Sequence, residues 1–343
     1  MNPRETTLAA IAGHPHLRVP VAQHNFAFCV KQAGITMDDY RTDPALAARV
    51  LADAARTHKY DCIIIDFDTC SLAEALGATL EFPPTEPARV AHPLLANLQD
   101  IRKLKIPDPT RDGRLPRWLE TTRQLRKLVG DDIAIMARAD QGPFGLLFQL
   151  RGHEDTMIDV LEADSDLLHE ALDFCTEAGV RFAQAQLAAG ADLTSIGDSA
   201  SGESLISPAD YARLAQPHQK KYRGRLGPGI LSLHICGKTN HIINGMVDTG
   251  CEVLELDHHN NLETSLAVTG NRTCVFGNID PSAILSQGKR DDVLNACQKV
   301  LALAVRTTTR FVLCPGCLAN ADVPAENISA MTEAAARWGR YAN

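Results

Sequence analysis

Short apolar runs alternate along this chain with longer stretches in which apolar residues return every three to four positions. The short runs, bounded by turn residues, predict strands at 19–26, 62–68, 133–140, 192–198, 230–236, 253–257, 274–279 and 311–314. The longer stretches predict helices at 43–58, 117–129, 207–226, 240–249, 281–287, 291–305 and 325–341, with two more inside 153–189. Pro44 suits the first turn of its helix, where a missing N–H is tolerated. Strands that alternate with helices predict a parallel sheet, and eight of them in a single domain predict a (β/α)8 TIM barrel, an α/β fold. The open, doubly wound alternative lacks its signature, because no Gly-x-Gly-x-x-Gly follows the first strand. One segment breaks the rhythm: 80–113 carries Pro83, Pro84, Pro87, Pro93, Pro107 and Pro109. It is too long for an ordinary connection and predicts an irregular loop, either a lid over the barrel mouth or a surface excursion.

In such a barrel the C-terminal strand ends converge on one mouth, where the chemistry sits. Polar residues collect at those ends: Gln23 and His24, Asp66 and Asp68, Arg138 and Asp140, Asp198, His234 and Cys236, Asp257 with His258 and His259, Asp280, and Cys314 with Cys317. His234 and Cys236 stand two apart on a strand and therefore share a face. An imidazole and a thiolate presented together are two-thirds of a catalytic zinc site, and Cys314 or Cys317 can supply the third donor from far along the chain. Nitrogen and sulfur donors suit zinc better than magnesium or calcium, and the wide gap in sequence argues against a zinc finger.

Composition narrows the setting. Of 343 residues, 45% are hydrophobic and 22% charged, enough for a substantial core, and the net charge of −8 gives no nucleic-acid footprint. Apolar runs stay short of the roughly 18 residues of a membrane span, and the N-terminus has no signal-peptide core. A cytoplasmic protein with no nucleic-acid or membrane partner is expected. The ten cysteines, spread over a large chain, are then expected to be reduced thiols, most of them core filler.

Several motifs together carry a family resemblance: His234-Ile-Cys-Gly237, Gly277-Asn-Ile-Asp-Pro281, Leu205-Ile-Ser-Pro208, and Pro315-Gly-Cys-Leu318 followed by Val323-Pro-Ala-Glu-Asn-Ile328. From about Val19 to Ile328 the chain resembles the uroporphyrinogen decarboxylase superfamily, and within it the zinc-dependent methylcobamide:thiol methyltransferases of the coenzyme M type. The resemblance implies a (β/α)8 barrel whose zinc is held by His234, Cys236 and Cys317, with Cys314 the less favoured cysteine. It implies Asp257 as a displaceable fourth ligand, Glu255 being the second choice. It implies transfer of a methyl group between a corrinoid on a separate partner protein and a thiol or related small-molecule acceptor, with a zinc-bound thiolate attacking a methyl-Co(III) corrinoid and releasing Co(I).

Asp68, Arg138 with Asp140, and Asp198 with Ser199 and Ser201 are expected as substrate contacts. Glu74 is expected to serve its helix N-terminus, and His258 and His259 to lie in a loop as non-ligands. No Asp-x-His-x-x-Gly corrinoid-binding motif occurs in the chain, which is why the corrinoid is assigned to a partner. Three alternatives stand beside this expectation: a demethylase that methylates Co(I) from an ether, amine or thioether; a decarboxylase-like lyase; and a non-catalytic zinc- or corrinoid-binding barrel. The decarboxylase branch grips a multi-carboxylate tetrapyrrole with an N-terminal arginine-rich motif, whereas no arginine lies between Val19 and Gly34 here.

Overall fold

Runs such as Cys62-Ile-Ile-Ile65 have the β-branched character of strands buried on both faces, and the chain builds its centre from them. The computed structural model describes residues 1–84, 86–162 and 165–341. Its strands are β1 (Ala22–Gln23), β2 (Cys62–Ile65), β3 (Thr79–Glu81), β4 (Arg89–His92), β5 (Ala134–Gln141), β6 (Leu193–Gly197), β7 (Ile230–Ile235), β8 (Val253–Leu256), β9 (Cys274–Ile279) and β10 (Phe311–Pro315). Eight of them form one sheet of parallel neighbours in the order β1-β2-β5-β6-β7-β8-β9-β10. A parallel bridge between Val21 and Leu313 joins its two edges, with Leu313 N–H donating to Pro20 O at 2.9 Å. The sheet is thus a (β/α)8 barrel in a single domain, as the alternation of patterns predicts.

Side chains alternate along each strand, so Cys62 and Ile64, Ala134 and Met136, Val253, Cys274 and Phe276, and Val312 and Cys314 fill the barrel interior. The helix Pro3–Ala12, which the pattern analysis does not predict, closes the bottom by adding Ala10 and Ile11 to that interior cluster. Asn2 and Glu5 form a capping box at its start, and at its end Arg310 donates to the carbonyls of Ile11 and Ala12. Gly13 caps that end at φ 71°, the left-handed region that favours glycine.

Other differences from the sequence reading are local. The first strand shrinks to two residues, because Pro20 lacks an N–H and Phe26 already opens the helix Phe26–Gln32. Short helices at Pro143–Arg151 and Leu262–Thr269 fill connections left blank by the pattern. The span 80–113 is not irregular throughout: β3 and β4 pair antiparallel, and a 3-10 turn covers Leu98–Lys103. Arg41 fastens the ribbon by donating to the carbonyls of Pro83 (3.1 Å) and Glu86. Among the described residues, no helix is long and apolar enough to cross a membrane.

Candidate functional site

At the C-terminal end of the barrel lies a cavity of about 280 Å³, walled by residues from most of the strands. Its floor is polar. Glu255 on β8 points into the barrel, where Arg138 Nη2 donates to it at 3.0 Å and Ser232 Oγ at 2.7 Å, with Ser195 adding a third hydrogen bond. Burial opposes the charge on Glu255, but Arg138 and His234 outweigh it and hold the carboxyl at about 2. Arg138 also donates to Ser195 Oγ at 2.7 Å, and its Nε stands 3.8 Å from Asp66.

On that floor stands His234, at the end of β7. Its Nδ1 lies 3.0 Å from the backbone carbonyl of Glu255, which can only accept, so Nδ1 carries the proton. Nε2 thereby points upward, at Cys236 Sγ 2.9 Å away, where it can donate a proton to the thiolate or, on losing that proton, offer its lone pair to a metal. Cys236 Sγ in turn lies 3.8 Å from Cys317 Sγ, which arrives on the loop after β10. The donor atoms of these three residues all lie within 4.8 Å of one another. Two sulfurs each about 2.3 Å from a tetrahedral ion stand about 3.8 Å apart, so the donor set fits zinc in chemistry and the two sulfurs fit it in spacing, while His234 Nε2 would draw back from Cys236 by about half an ångström to ligate.

Between the two sulfurs one proton is shared. A hydrogen bond from the Cys317 thiol overcomes burial, with help from His234, and holds Cys236 at about 3. Cys317 keeps the proton and is pushed up accordingly. Burial disfavours the charged form of His234, but the Cys236 thiolate prevails and raises it to about 9. Cys314, by contrast, faces the apolar barrel interior at 2% exposure, and burial pushes its thiol far up.

The remaining sequence-predicted residues divide. Asp68 and Arg138 line the cavity; Asp140 and Asp198 are not among its lining residues. A bulge explains Asp140, since β5 uses one residue more than β6 between the pairs Arg138–Ser195 and Gln141–Gly197. The extra residue turns Gln141 into the cavity and leaves Asp140 at φ 69°, with its carboxylate on Leu72 N–H at 2.6 Å. Asp198 likewise accepts from Gly145 N–H (2.6 Å) and Gln219 (2.7 Å), so it caps a helix whose own cap, Gly142, has no side chain. A Cβ on Gly142 would lie 2.6 Å from Asp198 Cγ. Asp257 is placed with His258 and His259, whose Nδ1 atoms lie 3.0 and 2.7 Å from its Oδ1, while its Oδ2 accepts Gly237 N–H at 3.0 Å.

Burial, reinforced by Asp68, raises Asp140 to about 8. The folded state then holds a proton that the unfolded chain, with a pKa of about 3.9, has released. Its contribution to stability is complete at low pH and is lost as pH rises through the folded value. Asp140→Asn cannot ionise, so its urea midpoint relative to the unmodified protein is expected to climb between about pH 5 and about pH 8. A constant difference across that range would contradict the shift.

The sequence matches the uroporphyrinogen decarboxylase family (URO-D) over residues 2–338. The chain belongs to that family. It is 28% identical over 334 residues to methylcobamide:CoM methyltransferase MtaA of Methanosarcina barkeri, covering 95% of each chain. With methylcobamide:CoM methyltransferase MtbA of Methanosarcina acetivorans the identity is 29% over 345 residues, covering 98% of each. Uroporphyrinogen decarboxylase of Thermus thermophilus is 28% identical over 291 residues, covering 81% of this chain and 83% of that one. Among solved structures, a methyltransferase from Methanosarcina mazei superposes with a TM-score of 0.90 at 26% identity, covering 98% of this chain and 99% of that one. The chain is thus a member of an enzyme family, and its relatives by name include methyltransferases as well as decarboxylases.

Sequence reasoning left several wall residues out of the site. His24, Asp66, Thr69, Pro87, Gln141 and Leu318 all line the cavity, whereas Ser199, expected as a substrate contact, does so as predicted. His24 and Asp66 are visible as polar strand ends, and their 2.8 Å contact could have been guessed from their place on neighbouring strands. Arg114 had no such signal. It comes from the end of the proline-rich span to pair with Asp68 at 2.7 Å and Glu74 at 2.5 Å.

Proposed function

We propose that this chain is a zinc-dependent methyltransferase that moves a methyl group between a corrinoid carried by a separate protein and a small thiol. The observation that carries the reading is the meeting of His234, Cys236 and Cys317 at the floor of the mouth, with Nε2 of the imidazole freed for a metal by the Glu255 carbonyl. Similarity to methylcobamide:CoM methyltransferases over nearly the full chain supports it.

His234, Cys236 and Cys317 would hold zinc, which when bound removes the proton from a substrate thiol while leaving its sulfur nucleophilic. The chain's own residues prepare that chemistry. Two cysteine thiolates offset the charge of the ion and so leave electron density on the substrate sulfur. Arg138, anchored by Glu255, sets a fixed positive charge beneath both sulfurs. The Cys317 thiol, then His234 and to a smaller extent Ser199, keep the Cys236 sulfur in the thiolate form.

A cavity of about 280 Å³ admits a small thiol and is far too small for a corrinoid ring, so the corrinoid approaches at the rim with its methyl group pointing inward. Segment 80–113 serves as a cover on this reading, through Pro87 in the cavity wall. The decarboxylase reading is disfavoured by charge: Arg138 is the one guanidinium in the described lining, and it is already ion-paired. A substrate with many carboxylates needs free ones.

Incubation with methylcobalamin and a panel of thiols tests the reading. Thiol-dependent loss of the methyl-Co(III) absorbance is expected. Its absence, together with methylation of Co(I) from an ether, amine or thioether, would reverse the direction of transfer.

A further inference from the structure

Coenzyme M, the acceptor in the names of several relatives, is 2-mercaptoethanesulfonate and ends in a permanent anion. The wall of this cavity offers no free cation to receive one. Of the three guanidiniums near the mouth, Arg138 is held by Glu255 at 3.0 Å, and Arg114 by Asp68 at 2.7 Å and Glu74 at 2.5 Å. The third, Arg41, donates only to the Pro83 and Glu86 carbonyls and leaves its Nε unpartnered, but like Arg114 it stands outside the lining residues.

The anions of the wall are less well matched. Asp66, 3% exposed, lines the cavity and receives one hydrogen bond on Oδ2, from His24 Nε2 at 2.8 Å. Arg138 Nε is too distant, at 3.8 Å, to donate to it. Its other oxygen, Oδ1, is closed off from the cavity and has no hydrogen-bond partner among the described residues. A buried carboxylate so short of donors is costly, and a cation placed beside it lowers that cost. A sulfonate in the same space would meet Asp66 with like charge.

We propose that the substrate of this cavity is a small aminothiol, its sulfur toward His234, Cys236 and Cys317 and its cationic ammonium group against Asp66. The inference rests on the thiol-methyltransferase reading for the sulfur end and on the wall's own charges for the other end. Asp66 is then a specificity-determining residue, and His24 positions its carboxylate.

Three thiols with the same two-carbon spacer isolate the effect: cysteamine, 2-mercaptoethanol and 2-mercaptoethanesulfonate, each titrated by calorimetry into the zinc-loaded protein. Cysteamine is expected to bind at least about 10-fold more tightly than the sulfonate, with the neutral thiol between them. In Asp66→Asn, with its fold checked by circular dichroism, the advantage of cysteamine over 2-mercaptoethanol should vanish while 2-mercaptoethanol binding holds within about 2-fold, a split that a merely loosened wall would not produce. The ranking in the unmodified protein stands as a test even if that variant fails to fold. Equal or tighter binding of the sulfonate, or no binding by any of the three, overturns the inference. If cysteamine shows its Asp66-dependent advantage and yet no thiol demethylates methylcobalamin, the methyltransferase reading fails and the charge selectivity of the cavity stands.

Discussion

Cys317→Ala is expected to leave the purified protein with little zinc and to lower thiol-dependent demethylation of methylcobalamin by about 100-fold or more, since loss even of a group that merely supports a metal ligand costs 10–100-fold. The remaining donors, His234 and Cys236, lie 2.9 Å apart on one strand and form too small a clamp to retain an ion against a chelator. Cys314→Ala is the control, three residues away in sequence and opposite in expectation. Its sulfur packs among Cys62, Ile64 and Val312 inside the barrel, below the polar floor, so metal content should stay near one equivalent. Metal analysis of the two variants after dialysis decides the matter. Full zinc in Cys317→Ala, or its loss in Cys314→Ala, would sink the ligand assignment.

Arg138→Met is expected to destabilise the fold by about 3–5 kcal/mol at neutral pH, the usual consequence of stranding one member of a buried ion pair. Glu255 would be left in the barrel with Ser195 and Ser232 as donors and no compensating charge. The pH dependence gives the mechanism away. Glu255 is held at about 2 in the intact protein, below its unfolded value of about 4.3, so its contribution to stability is complete above that value and lost as pH falls toward 2. The deficit of Arg138→Met in urea unfolding should therefore shrink below about pH 4, where Glu255 can take up a proton. Adding Glu255→Leu to Arg138→Met should recover much of the loss, because a matched apolar pair does not carry the desolvation cost of an isolated charge. A deficit independent of pH would point to lost packing alone.

The barrel was legible because a parallel strand buried on both faces leaves a run such as Cys62-Ile-Ile-Ile65, which little else in a soluble protein imitates. The helix Pro3–Ala12 was not, since it is short and its sequence, Pro-Arg-Glu-Thr-Thr-Leu-Ala-Ala-Ile-Ala, separates polar from apolar residues along the helix and not around it; its role comes from docking on the barrel floor. At the mouth, His234 and Cys236 announced themselves by their spacing, and Cys317 entered by family resemblance. Asp140 and Asp198 looked like substrate contacts because they end strands. Position on a strand does not say whether a bulge has turned the carboxylate aside, nor that a neighbouring helix lacks its own cap. Arg114 and Asp66 illustrate the converse. What a side chain is paired with, or left unpaired with, depends on segments dozens of residues away, and no local pattern carries that information.

Among the described residues, the helix Pro3–Ala12 closes the bottom of the barrel, and the cavity lies at the opposite end. Whatever enters must leave by the same route, so traffic through this protein is last in, first out. On the proposed reaction the small thiol has to be seated before the corrinoid carrier docks over the opening, and the methylated product stays trapped until the carrier departs. The turnover of such an enzyme is then set by how briefly its partner lingers, which makes tight association between the two a brake.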